Sequence, residues 1–360
     1  MKQTLKRAFP SPKKSKTITS LLVVICLATL LLTILASKKA RADLIWGING
    51  HPLVSYPGVS ITQQLDFIKD IGLTMYRVDV NNVELAPRLA ELILEGKKRG
   101  ITILPVLIPD VNLEKDSPEQ LYKKAYNFAV RLVSQFKNDI RVVELGNELE
   151  NYAIIQPCEL QENGMRYNCQ WGPASGVRAL DYFAPRWAKV SAVLKGLSEG
   201  TISVDSTIRK AMGTAGWGHT GAFKRMQQDG IKWDISIWHQ YQFDDEWAFK
   251  ELATYGHPIW VTEFNNPYGS LKSEQEQATG LTKLISHLRK LQKKYKIEAA
   301  HIYELMDETY WSPNYEAFMG LVQLVKNGEG GWKPGPAKAA YTIVKKLIKK
   351  TDPLNTTPLK

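Results

Sequence analysis

Two glutamates stand where bond-making chemistry is expected. Glu148 closes the stretch Glu144-Leu145-Gly146-Asn147-Glu148, and Glu263 lies in Trp260-Val261-Thr262-Glu263-Phe264. Each follows an apolar run before a helix has begun. Two carboxyl groups flanking a glycosidic bond are the minimum machinery for its hydrolysis. A gap of about 5 Å lets one attack the anomeric carbon while the other manages the proton, whereas a wider gap admits water and inverts configuration. A lone glutamate after a strand is just as readily a solvated loop residue or a helix-entry charge. The elements around the pair therefore decide.

From Asp43 onward the pattern is strand, turn, helix, repeated. Strands are expected at Ile45–Ile48, Met75–Val80, Ile101–Ile108, Ile140–Leu145, Thr201–Asp205, Asp234–Trp238, Pro258–Thr262 and Ile297–Tyr303. Several are apolar nearly throughout, as parallel strands covered on both faces should be. Amphipathic helices are expected at Ile61–Ile71, Pro87–Arg99, Pro118–Lys137, Tyr182–Ser198, Gly221–Gln228, Glu246–Tyr255, Ser273–Tyr295 and Pro336–Lys350. Gly72, Gly100, Gly200, Gly230 and Gly256 read as helix stops. Eight alternations with no linker predict an α/β fold, a closed (β/α)8 TIM barrel forming a single catalytic domain over residues 43–360. A doubly wound open sheet would want a glycine-rich phosphate loop after its first strand, and Trp46-Gly47-Ile48-Asn49-Gly50-His51 is not one. In a barrel the active site lies at the carboxyl ends of the strands. Strands four and seven face one another across that mouth, so Glu148 and Glu263 would share a cavity.

The first 42 residues differ in kind from the rest. They hold nine Lys or Arg residues and no acidic one, around the apolar run Ile18–Ser37. A basic start, an apolar segment and Ala40-Arg41-Ala42 describe a secretory signal cut before Asp43. The run is also long enough to span a bilayer, so an uncleaved anchor and membrane association through residues 18–37 compete with cleavage. Either way the remainder is exported: periplasmic, secreted, or anchored to the outer face of the inner membrane. The net charge of +11 belongs largely to this segment. Nine of the 47 basic residues leave with it, so 38 face the same 36 acidic ones, and no nucleic-acid partner is expected. Cys26 sits inside the apolar run, while Cys158 and Cys169 share a polar loop and should pair in an oxidising compartment. With few histidines and no His-x-His after strand one, no metal or other cofactor is expected.

Asn147-Glu148 on strand four, with Glu263 on strand seven, resembles glycoside hydrolase clan A, and the likeness runs over the whole exported part. Its nearest counterparts are families 39 and 5 and small barrels linked to exopolysaccharide operons. The resemblance implies a retaining glycosidase with Glu148 as acid/base and Glu263 as nucleophile. It gives Asn147 a sugar hydroxyl, Arg77 a place beside the nucleophile, and His239-Gln240-Tyr241 the clan's His-x-Tyr element. Arg77 and Tyr241 would lower the pKa of Glu263, whose charge would keep Glu148 protonated. Many clan members carry a Trp at the end of strand eight. Here that place falls to Tyr303 or Leu305, with Trp311 later.

Asn49 and His51, past strand one, are placed to reach sugar hydroxyls. Trp46, Trp171, Trp217, Trp238 and Trp311 lie at or beyond expected strand ends, where flat rings can stack on pyranoses. Trp187, Trp233 and Trp260 fall within elements and are expected in the core. The partner implied is an oligo- or polysaccharide, acted on by a monomer. A transglycosylase would use the same residues. A non-catalytic sugar-binding barrel would be expected to have lost at least one of Glu148, Glu263, Asn147, Arg77 and Tyr241, and all five are present.

Overall fold

Short apolar strands, each followed by a helix with one apolar face, bury both when the helices cover a parallel sheet, and a sheet that closes on itself leaves no edge. The computed structural model, which describes residues 43–349 apart from positions 57 and 244, shows that closure. The strands are β1 (Ile45–Gly50), β2 (Met75–Val80), β3 (Thr102–Leu107), β4 (Val142–Leu145), β5 (Arg209–Thr214), β6 (Ile235–Gln240), β7 (Ile259–Phe264) and β8 (Ile297–Ile302). All pair in parallel with their sequence neighbours, and β1 pairs with β8. Around them lie α1 (Ile61–Ile71), α2 (Ala86–Arg99), α3 (Pro118–Phe136), α4 (Ala184–Val204), α5 (Gly221–Gln228), α6 (Glu246–Ala253), α7 (Glu274–Lys294) and α8 (Ala339–Lys349). This is the (β/α)8 barrel expected. The expected leader or anchor, residues 1–42, lies outside the described residues. Among the described residues no helix is long and apolar enough to cross a membrane.

Side chains alternate along each strand, and that alternation builds two cores. One fills the barrel floor with Met75, Leu104, Val142, Ala211, Ile235, Ile237, Trp260 and Ala299. The larger one lies between strands and helices. Going up β2 in steps of two, apolar Met75 gives way to Arg77 and Asp79. Going up β6, Ile235 and Ile237 give way to His239. The residues between point outward.

Two expectations need correction. The fifth strand is not Thr201–Asp205, which forms the end of α4, and Gly200 is not a helix stop. Gly196 and Gly200, one turn apart, face α3: a Cβ at either would stand 2.5 Å from the Tyr122 carbonyl oxygen or 2.6 Å from that of Tyr126. They are the contact by which two helices cross closely. The true β5 begins Arg209-Lys210, and Lys210 meets Asp234 at 2.6 Å, which explains a strand with so polar a start. The last helix begins at Ala339, not Pro336. An unexpected antiparallel hairpin, β9 (Val322–Lys326) with β10 (Trp332–Ala337), precedes it and takes up Pro334 and Pro336.

Candidate active site

Arg77 organises the barrel mouth. Its Nε donates to Glu144 Oε2 at 2.7 Å and its Nη2 to Glu144 Oε1 at 2.6 Å. The other N–H groups reach Asn49 Oδ1 (2.7 Å), Glu263 Oε1 (2.8 Å) and Asn147 Oδ1 (2.8 Å). Five donors thus meet five acceptors in the planar fork that only arginine offers. Glu144 was passed over in the sequence because it lies inside an apolar strand. The signal was there: alternation points it into the barrel, and a buried carboxylate needs a partner. Asn49 does not reach the cavity. Its amide nitrogen donates to the carbonyls of Thr262 and Ile302, tying β1 to β7 and β8 behind Arg77.

Glu263 receives Arg77 on one oxygen and the Tyr241 hydroxyl, at 2.9 Å, on the other. Glu148 stands across from it, in left-handed backbone (φ 49°) just after Gly146, a conformation that turns its side chain over the mouth instead of along β4. His239 lies between them. Its Nδ1 is 2.7 Å from Glu148 Oε1 and 3.4 Å from Glu263 Oε2, and its Nε2 is 3.1 Å from Thr262 Oγ1. One oxygen of each glutamate and a ring nitrogen of His239 all lie within 4.8 Å of one another.

The electrostatics of the site reverse the expected order of the two carboxyls. Burial raises the pKa of Glu263 above the ordinary carboxylate value, although His239, Arg77 and Tyr241 pull it back. Burial acts the same way on Glu148, but the His239 hydrogen bond and charge outweigh it and hold Glu148 below its ordinary value. Burial opposes a charge on His239, and the two carboxylates overcome it, so its pKa is raised.

The cavity above this group has a volume of about 420 Å³ and is lined by His51, Arg77, Asn147, Glu148, Tyr241, Glu263 and Tyr303, all singled out in the sequence. Asp79, Trp217, Pro267, Tyr268, Tyr315, Glu316 and Met319 complete the wall. His239 is buried beneath. Trp238 is not a sugar platform: it alternates with His239, points out of the barrel and packs edge-on against Trp247, 1% exposed. Trp46 is turned outward in the same way, against Phe264 and the Arg289 guanidinium. Trp311 is exposed but does not line the cavity. Trp171 is exposed beside Tyr167 in the segment closed by the Cys158–Cys169 disulfide, which is present as expected. Trp187, Trp233 and Trp260 are core.

Trp217 is the tryptophan that lines the cavity among the described residues, half-exposed and itself at φ 56°. The loop bearing it is pinned from two sides. Glu150 Oε1 accepts from the Ala215 N–H at 2.7 Å and lies 2.9 Å from His219 Nδ1. Gly216 lies so close to β6 that a Cβ would stand 1.9 Å from the His239 carbonyl oxygen. Among the described residues, two clusters bring three metal-ligand side chains together: Glu148, His239 and Glu263, and His51, Glu304 and Glu308. In the first, Arg77 and Tyr241 already donate to Glu263, Thr262 meets His239, and Asn151 donates to Glu148 at 3.3 Å.

No protein-family model and no curated protein matches the chain. Solved structures do match it in fold. A β-glucosidase from Thermotoga maritima in complex with glucoimidazole aligns with 13% identity and a TM-score of 0.60, over 85% of this chain and 98% of that one. The same enzyme with deoxynojirimycin aligns with 12% identity and a TM-score of 0.62, over 85% and 97%. A separate β-glycosidase aligns with 12% identity and a TM-score of 0.61, over 88% and 99%. These likenesses establish the barrel architecture.

Proposed function

We propose that this protein is a retaining glycoside hydrolase acting on β-linked oligo- or polysaccharide through a covalent glycosyl-enzyme. One observation carries the reading. Two carboxyl groups, one just past β4 and one on β7, approach within 4.8 Å across a cavity, the short separation that serves nucleophilic displacement and leaves no room for an inverting water. Glu263, held by Arg77 and Tyr241, attacks the anomeric carbon as the bond to the leaving oxygen breaks. Glu148 gives its proton to that oxygen. Water then attacks the glycosyl ester, Glu148 takes a proton from it, and the Glu263 carboxylate is released. Loss of the Glu263 charge on glycosylation removes the repulsion that favours a protonated Glu148, so the same group turns from acid to base.

Asn147 supports this reading, because its oxygen is fixed by Arg77 and its amide nitrogen is left as a donor at the cavity wall. Trp217 offers a stacking face on the side of Glu148, where the leaving group departs. The β-glucosidase and β-glycosidase structures that share the fold point to the same class of reaction. The disulfide fits export into an oxidising compartment, and N-terminal sequencing of the exported protein would show whether residues 1–42 are retained as an anchor.

The test is hydrolysis of a panel of β-linked glycans and aryl β-glycosides, with Glu148→Gln and Glu263→Gln alongside and the anomer of the first-formed product read by NMR. Cleavage with retention, lost in both variants, is expected. Cleavage that survives either substitution, or that inverts, refutes the assignment.

A further inference from the structure

Above Arg77, two residues further along β2, Asp79 faces the same cavity. Its Oδ2 lies 3.2 Å from His51 Nδ1, and among the described residues its side chain makes no other hydrogen bond or ion pair. The second ring nitrogen of His51 is 3.3 Å from Glu304 Oε2, which also accepts from the Tyr56 hydroxyl at 2.7 Å. Glu304 and Tyr56 are wholly buried. A carboxylate at the wall therefore faces an imidazole whose other nitrogen faces a buried carboxylate, and that carboxylate accepts from a buried phenol. Two strand residues span about 7 Å, so Asp79 stands roughly one sugar ring away from the guanidinium that touches Glu263.

The charges around the cavity narrow what that carboxylate meets. Among the described residues, Arg77 and His51 are the only basic side chains lining it. All five Arg77 N–H groups are engaged, and both His51 nitrogens face carboxylates. Against them stand Asp79, Glu148, Glu263 and Glu316. No cationic donor is left for an anionic sugar, while Asp79 Oδ1 is an acceptor without a donor.

Resting on the glycosidase reading above, we infer that Asp79 is the specificity-determining residue of this site. It accepts a hydrogen bond from a ring hydroxyl of the sugar whose anomeric carbon is attacked, and that sugar is neutral, not a uronic acid. His51 and Glu304 are positioning residues: they fix the rotamer of Asp79 and satisfy the oxygen turned away from the sugar. A site built around such an acceptor rejects a sugar lacking the matching hydroxyl far better than a shape-only pocket does.

The experiment uses the full-length protein, the 4-nitrophenyl β-glycoside it cleaves best, the 3-, 4- and 6-deoxy forms of that glycoside, and its 6-carboxylate. Asp79→Asn is expected to lower kcat/KM on the parent roughly 10- to 150-fold, the range of one hydrogen bond to a charged group. On one deoxy glycoside the same substitution should change kcat/KM by less than about threefold, because the hydrogen bond is already missing there. Glu304→Gln should move the same ratio in the same direction by a smaller factor and leave the other deoxy ratios unchanged, which a general loosening would not do. The uronide should be at least 100-fold slower than the parent.

Equal losses on every deoxy form overturn the role of Asp79, as does a parent activity insensitive to Asp79→Asn. Uronide cleavage at the parent's rate overturns the charge argument. Activity that disappears in Glu263→Gln while ignoring Asp79→Asn refutes this inference alone. Absence of cleavage of every glycoside by the wild type removes the function proposed above and this inference with it.

Discussion

Replacing Arg77 by Met keeps most of the volume of the side chain and removes its charge and its five donors. Two buried carboxylates, Glu144 (2% exposed) and Glu263 (6%), are left without their common partner. Breaking a buried ion pair from one side typically costs about 3–5 kcal/mol, because the abandoned charge stays desolvated. At roughly 2 °C per kcal/mol for a domain this large, the melting temperature should fall by about 6–10 °C at pH 7.5. The sign of the pH dependence follows from Glu263. Burial already raises its pKa and Arg77 pulls it back, so losing Arg77 raises it further. A carboxyl whose folded pKa is raised contributes stability at low pH and loses it as pH rises through that value. The deficit of the variant should therefore be smallest near pH 4 and largest above pH 7. Thermal melts of both proteins from pH 4 to pH 8 test this, and Arg77→Met/Glu144→Gln should recover part of the deficit. A deficit that is the same at every pH, and that the second substitution does not relieve, would mean that Arg77 acts by filling space, and the electrostatic account would be wrong.

Other perturbations probe separate parts of the structure. Trp217→Ala should lower kcat/KM roughly tenfold on an oligosaccharide, an aromatic contact being worth about 0.5–1.5 kcal/mol beyond its area. It should change little for a substrate whose leaving group is too small to reach that ring. Gly216→Ala, at φ 82° and against the His239 carbonyl, should destabilise the fold and depress kcat together, as seen by melting and initial rates. Burial raises the pKa of Glu304 to about 7 from an ordinary 4.5, against the pull of His51. Its contribution to stability is then present below pH 4.5 and lost as pH rises through 7, about 3 kcal/mol in all. Glu304→Gln should flatten the fall in stability over that window, measured by denaturant titration. Mass spectrometry of the protein isolated without reductant should find Cys158 and Cys169 two hydrogens lighter than free thiols.

The barrel was legible because seven of its strands are what buried parallel strands have to be, short and apolar, with helices between them. The fifth was not. Arg209-Lys210 does not look like a strand until Asp234 is placed beside it, and the apolar-looking Thr201–Asp205 beyond Gly200 took its place. A glycine in a helix has two meanings, a left-handed stop or a close crossing, and only the neighbouring helix α3 separates them. The β9–β10 hairpin was hidden for a related reason: Pro334 and Pro336 argue against a strand, but a two-stranded ribbon tolerates them at its edge.

The site was legible where a residue touches the reacting centre and obscure where it acts from behind. Glu148, Glu263, Asn147, Arg77, His239 and Tyr241 converge as their strand positions required. Trp46 and Trp238 failed on parity alone: one residue along a strand is the difference between the cavity and the helix layer. Applying the alternation that places Arg77 inward to Glu144 and Asp79 would have found both. The order of the two carboxyl pKa values was beyond sequence reasoning, since it turns on a third group. Arg77 and Tyr241 were expected to make Glu263 the stronger acid. His239, wedged 2.7 Å from one glutamate and 3.4 Å from the other, gives that place to Glu148. A substrate that enters between His239 and Glu148 breaks the contact responsible. Substrate binding itself would then return the proton to Glu148, and the acid would be armed only when there is a bond to cleave.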